Sequence, residues 1–77
     1  MSVGFMNSVN QKKLLHSKWT AVNPTKREKH FVITEVEYSE DGTVMHCLMQ
    51  AVMTRRLFPI DWQELKDSSV WVGGWRS

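Results

Sequence analysis

Few side chains in this chain could hold a metal, attack a bond or stack on a base, so each can be weighed singly. The 77 residues include three histidines, one cysteine and four tryptophans. A metal ion needs ligands clustered at workable spacings, and His16, His30, His46 and Cys47 offer neither a C-x-x-C nor an H-x-x-x-H pair. His46 and Cys47 are neighbours on a β-type run, so their side chains leave opposite faces and cannot share an ion. Cys47 also falls in an apolar row, where burial keeps a thiol from becoming the reactive thiolate. Nothing marks Ser8, Ser17 or Ser68 as activated. Gly73-Gly74 follows a strand-like stretch but opens no helix, which excludes a phosphate loop. The expectation is therefore no metal, no cofactor and no enzyme.

The tryptophans are the unusual feature. Trp19, Trp62, Trp71 and Trp75 are many for so short a chain. A small domain without staples needs the large area that indoles bury, so Trp19 and Trp71 are assigned to the core. Trp62 and Trp75 are the candidates for exposure. Trp62 is the first residue after a helix cap, and Trp75 follows two glycines. Flanking cations would make either ring a platform for stacking bases and neutralising phosphates, or for gripping a peptide. The candidate binding set is Lys18, Arg55, Arg56, Trp62 and Trp75. The five methionines read as adaptable core, because Met45, Met49 and Met53 share a strand face with Cys47 and Ala51.

Charge is small in sum and uneven in distribution. The net is +2. Residues 1–30 carry Lys12, Lys13, Lys18, Lys26, Arg27 and Lys29 against Glu28 alone, a net of +5. Residues 31–54 carry only Glu35, Glu37, Glu40 and Asp41, a net of −4, and the remainder nets +1. A basic end opposed to an acidic tip can orient a polyanion. No apolar run approaches the roughly 20 residues of a membrane span, nothing resembles a signal peptide, and the lone cysteine suits a reducing compartment. A cytoplasmic protein is expected.

The elements that must position these residues are mainly β. Asp41-Gly42 between alternating apolar residues is the signature of a two-residue hairpin turn, whose central residues both need positive φ. That turn pairs Tyr38 with Met45, Val36 with Cys47, Thr34 with Met49 and Val32 with Ala51 on an apolar face. Glu37 with His46, Glu35 with Leu48 and Ile33 with Gln50 fall on a mixed face. A three-residue bulged loop would slip the register and set Glu35 against Cys47, so the two-residue form is preferred. The strand after the turn runs from Thr43 to Leu57, well beyond the about 5–6 residues of an ordinary strand, and must bend near Arg55.

Before the hairpin, residues 1–9 read as a flexible arm, and Asn10 caps a helical turn through Leu15. Lys18 to Val22 forms a strand stopped by Asn23-Pro24, and Thr25 to Glu28 is a charged connector. After Pro59, Asp61 caps a turn over Trp62 to Lys66, with Glu64 reaching back and Ile60 meeting Leu65 as a hydrophobic staple. Ser69 to Val72 is the last strand. Residues 10–77 thus make one small β domain, either an SH3-like antiparallel barrel or an open, strongly twisted sheet. One short helical turn precedes the final strand in both.

The stretch from Lys13 through Val22, then Lys29-His30-Phe31, Arg55-Arg56, the Ile60-Asp61-Trp62-x-x-Leu65 run and Trp71-x-x-Gly74-Trp75 together resemble the small tryptophan-rich bacterial proteins. The likeness runs from about Asn10 onward, and the tryptophan spacings carry it. It implies a bacterial cytoplasmic protein, and it brings over no activity, cofactor or catalytic residue. The functional expectation therefore rests on the residues: a binding module for nucleic acid, or alternatively a protein-interaction adaptor with an aromatic groove.

Overall fold

The computed structural model describes residues 7–77. The expected arm lies outside the described residues except for its last three. Of these, Asn7 donates from its backbone N–H to the Lys66 carbonyl, and Val9 packs against the core.

A 3₁₀ turn at Gln11–Lys13 leads into β1 (Lys18–Thr25), β2 (Glu28–Tyr38), β3 (Val44–Ala51) and β4 (Leu57–Pro59). A second 3₁₀ turn at Trp62–Lys66 precedes β5 (Trp71–Gly73). All pairings are antiparallel and make one five-stranded sheet in the order β4-β3-β2-β1-β5. The mainly β reading holds, with the helical turn placed before the last strand. The sheet is open rather than closed into a barrel. Its two edge strands are three residues each and lie at opposite ends of the sheet, and β4 ends on Pro59, which has no N–H to offer a further strand. No helix among the described residues is long and apolar enough to cross a membrane.

The central hairpin departs from the expected register in an instructive way. The Gly42 N–H bonds the Ser39 carbonyl at 3.0 Å, the Ser39 N–H bonds the Thr43 carbonyl at 2.8 Å, and Gly42 has φ +87°. Glu40-Asp41-Gly42 is thus a three-residue loop whose last position is left-handed, the form built on a turn plus a glycine bulge. Asp41 favours it by accepting from the Thr43 N–H at 3.1 Å and from the Ser39 hydroxyl. Tyr38 therefore faces Val44, not Met45. An irregularity at Met45 then restores Glu37↔His46, Val36↔Cys47 and Glu35↔Leu48, as expected. A second one at Thr34 shifts the row again, to Ile33↔Met49, Val32↔Gln50 and Phe31↔Ala51. Each extra residue flips the faces beyond it. Ile33 and Phe31 are accordingly core, while Val32 and Thr34, expected there, are half-buried.

Two other boundaries are corrected. β3 stops at Ala51 and returns through a turn in which the Arg55 N–H bonds the Ala51 carbonyl at 2.8 Å, with Arg55 at φ +62°. The long strand from Thr43 is two strands, and Met53 sits exposed on the turn between them, as Met45 does on its bulge. Pro24 does not end β1: the ladder to β2 is interrupted between Thr20 and Thr25, where no donor is required of it. β1 and β2 join through Lys26-Arg27, both with positive φ, +53° and +63°. The two-residue turn sought at Asp41-Gly42 is found here, without its usual residues.

The hydrophobic core lies on one face of the sheet. Trp19, Phe31, Ile33, Cys47, Met49, Ala51 and Trp71 form the buried row, capped by Leu14 from the amino-terminal segment and Leu65 from the second 3₁₀ turn. Both turns are built as their caps dictate: the Asn10 side chain accepts from the Lys12 N–H at 2.9 Å, and that of Asp61 from the Gln63 N–H at 3.0 Å. The Asn7 side-chain amide ties the cover together by donating to the Leu65 and Trp71 carbonyls at 2.8 and 2.7 Å. The extents of 37 × 35 × 15 Å fit one sheet with one layer upon it.

Candidate binding surfaces

Side chains alternate along a strand, so the neighbours of the buried row face the other way. Lys18, Val32, Gln50 and Leu57 pair in register across four strands, and Val72, Thr20 and His30 make a second row beside them. None of the described helical turns lies over this face. The carboxy-terminal residues do cross it. Gly74, at φ +80°, turns the chain back over β1, a conformation that favours glycine. The Gly74 N–H bonds the Lys18 carbonyl at 2.7 Å, the Thr20 hydroxyl donates to the Gly74 carbonyl at 2.7 Å, and the same hydroxyl accepts from the Arg76 N–H at 2.9 Å. His30 Nε2 then meets the Arg76 carbonyl at 2.6 Å, which requires the proton on that nitrogen. Thr20 is buried beneath this tail.

Trp75 is therefore held firmly. Its indole N–H bonds the Phe31 carbonyl at 2.9 Å, the His30 ring lies 5.9 Å away, and Lys18 Nζ sits 4.7 Å over the ring. Even so, 45 % of the residue is exposed. Of the five residues singled out in the sequence, the fold unites Lys18 with Trp75 and adds the His30 ring, while the Arg76 guanidinium donates to the Gly73 carbonyl at 3.1 Å. His30 was not signalled locally, since it lies more than forty residues before the ring it touches.

The other three go elsewhere. Trp62 is half-buried against the core on the covered side, with Lys66 Nζ 4.7 Å over its ring. Arg55 is exposed on the β3–β4 turn, where its carbonyl accepts from the Gln50 side chain. Arg56 is engaged: its Nε and Nη2 grip both oxygens of Glu28 at 2.9 and 2.6 Å, and the guanidinium lies 4.4 Å over Phe58. Glu28 is buried, and the Thr54 hydroxyl donates to it at 2.6 Å. Hydrogen bonds from Arg56 first, then from Thr54, hold the Glu28 carboxyl down at about 2 and push the Arg56 guanidinium up. Among the described residues this is the one ion pair.

Two recesses open on the covered side. The larger, about 530 Å³, lies between the start of β3 and the Ile60–Gln63 segment, with Trp62 and Cys47 in its wall. Cys47 is almost fully buried, and burial raises its thiol pKa, as expected of a packed cysteine. The smaller, about 290 Å³, is lined by Phe31, Phe58 and Trp71 with Glu28 and Arg56 at one side. No group of three or more His, Cys, Asp or Glu residues that could hold a metal ion occurs among the described residues.

No curated protein and no solved structure matches the chain significantly. One family model does, over residues 17–76, which takes in all four tryptophans and both cation–aromatic clusters on β1 and β4. The chain belongs to the tryptophan-rich protein family DUF2389.

Proposed function

We propose that this protein is a non-enzymatic binding module whose open sheet face takes single-stranded nucleic acid at Trp75. The observation that carries the reading is the convergence of Lys18 and His30 on one exposed, hydrogen-bonded indole. A flat sheet supports stacked bases, a fixed ring offers its π-face to any base, and nearby cations neutralise phosphates without reading sequence. Lys18 covers part of the ring, so a base stacking there displaces it, and its ammonium then serves the phosphate. An exposed cation–π contact of about 0.5–1 kcal/mol is the cost. A bacterial cytoplasmic setting goes with this reading, supported by the lone buried thiol.

A second reading has its own observation. Leu57 and Val52 are exposed and Val32 and Leu48 half-buried on or beside the same face, aliphatic surface that a nucleic acid would leave unused. A protein adaptor would use it. Titrating tryptophan fluorescence with mixed-sequence oligonucleotides over a series of salt concentrations separates the two. Phosphate recognition gives a log–log slope of about −0.7 per contact for single strands. No spectral change at micromolar protein, with the fold intact, overturns the nucleic-acid reading and leaves the adaptor.

A further inference from the structure

The β1–β2 and β3–β4 turns lie at the same end of the sheet, and the fold latches them together. Glu28, the residue after the Lys26-Arg27 turn, accepts from the Thr54 hydroxyl at 2.6 Å and from Arg56 at 2.9 and 2.6 Å. The Val52 N–H bonds the His30 carbonyl at 2.9 Å. Residues 25–30 and 52–57 carry Lys26, Arg27, Lys29, Arg55 and Arg56 against Glu28 alone. Since Arg56 and Thr54 take up that carboxylate, the exposed Lys26, Arg27 and Arg55 are left as cations without an ion pair among the described residues.

The backbone at these three positions is unusual. Among the described residues only four non-glycine residues have positive φ, and Lys26, Arg27 and Arg55 are three of them. Glycine or asparagine would hold either turn at lower cost. Long cations stand instead at the tips of both turns, and an uncommon conformation kept by an unfavoured residue points to a use for its side chain.

The other end of the sheet has the opposite sign. Glu35 and Glu37 are exposed and alternate with Val36, which packs on the core, so they face the open side. Glu40 and Asp41 follow in the loop beyond them. Phe31, whose carbonyl holds the Trp75 indole, is four residues from Arg27 and four from Glu35, about 13 Å along the strand either way. The ring thus sits midway between a cationic and an acidic end, and charge alone sets the direction in which a polyanion leaves it.

We infer that a single strand of nucleic acid stacked at Trp75 leaves the open face over the cationic end of the sheet, with its phosphates on Lys26, Arg27 and Arg55. The inference rests on the reading of Trp75 given above and adds the path and the far contacts. A strand too short to reach the turns engages the ring and Lys18 alone. A longer one gains three phosphate contacts.

The test follows tryptophan fluorescence with oligothymidylates of about three and about ten nucleotides over a series of salt concentrations. The combined variant Lys26→Asn, Arg27→Gly, Arg55→Gly removes the charges with residues that suit positive φ, so thermal unfolding should come no lower than in the parent. For the longer strand its log–log salt slope should flatten by about 2, and affinity at low salt should fall about tenfold or more. The shorter strand should bind as it does to the parent. Replacing the same three residues by Gln should reproduce that slope, and Glu35→Gln with Glu37→Gln should leave it unchanged. A slope that the turn variants do not alter overturns the inference, as does an equal change from the hairpin variant or an equal loss for the shorter strand. No fluorescence response to either length removes the Trp75 reading and this inference with it. A response to both lengths with the parent's slope in the turn variants removes the inference alone.

Discussion

The two faces of the sheet carry the same small device and put it to different ends. On the covered face Arg56 lies 4.4 Å over Phe58; on the open face Lys18 lies 4.7 Å over Trp75. Arg56 has a buried carboxylate gripping it from the side, so its charge is committed within the fold. Lys18 has no carboxylate within salt-bridge distance among the described residues, and the His30 ring beside the same indole adds a second basic group. A cation on a ring is a strut where a counter-ion pins it and a handle where none does. Counting basic and aromatic residues in a sequence cannot tell these apart, because the counter-ion arrives from another strand.

The sharpest way to break that contrast is to delete matched side chains from the two faces. Ile33→Ala, in the covered row, should lower unfolding free energy by about 2–5 kcal/mol. Its neighbour Val32→Ala, on the open face, should cost far less, both read from urea denaturation at constant m. Equal losses would mean that the open face is covered in solution. Next in size is Trp75→Ala, expected to weaken oligonucleotide binding by about 1–3 kcal/mol while thermal unfolding stays cooperative. An unchanged affinity would remove the handle from the open face.

The pinned cation should announce itself through pH. Glu28 is held at about 2, below the ordinary 4.5, so the folded state binds its proton less readily than the unfolded chain does. The stability it contributes is present above about 4.5 and is lost as pH falls towards about 2. Glu28→Gln should therefore melt lower than the parent at neutral pH and show a flatter dependence on pH between those limits. A Glu28→Gln curve parallel to the parent's would refute the assignment. The smallest effect is expected of Lys18→Gln: stability within about 0.5 kcal/mol of the parent, and a salt slope flatter by about 0.7. A large loss of stability would make Lys18 a strut after all.

What was legible beforehand follows from how local each signal is. The caps at Asn10 and Asp61 were readable because a cap involves residues two or three apart. The central register was readable at Val36↔Cys47 and Glu37↔His46, yet two irregularities, at Met45 and Thr34, exchanged the faces on either side of it. Alternation alone marks neither, since a bulge exists only relative to the partner strand. The positive-φ turn at Lys26-Arg27 was hidden for a related reason: neither residue prefers that conformation, and the flanking strand pairing must impose it. At the candidate site, Lys18 and Trp75 were identified from their types, whereas the union with His30 and the diversion of Arg56 to Glu28 were not.

By itself the sequence determined the class of the molecule: an antiparallel β domain with a short helical turn before its last strand, and tryptophans at 19 and 71 in its core. Those properties come from periodicity, turn chemistry and the large apolar area of indole, all of which act over a few residues. Only the tertiary structure decided that the sheet stays open, that Trp75 lies on the face opposite the core while Trp62 packs on the core side, and which cation keeps its charge free. Each depends on strands distant in the chain being brought to hydrogen-bonding range, where one extra residue in a ladder turns a side chain from core to solvent.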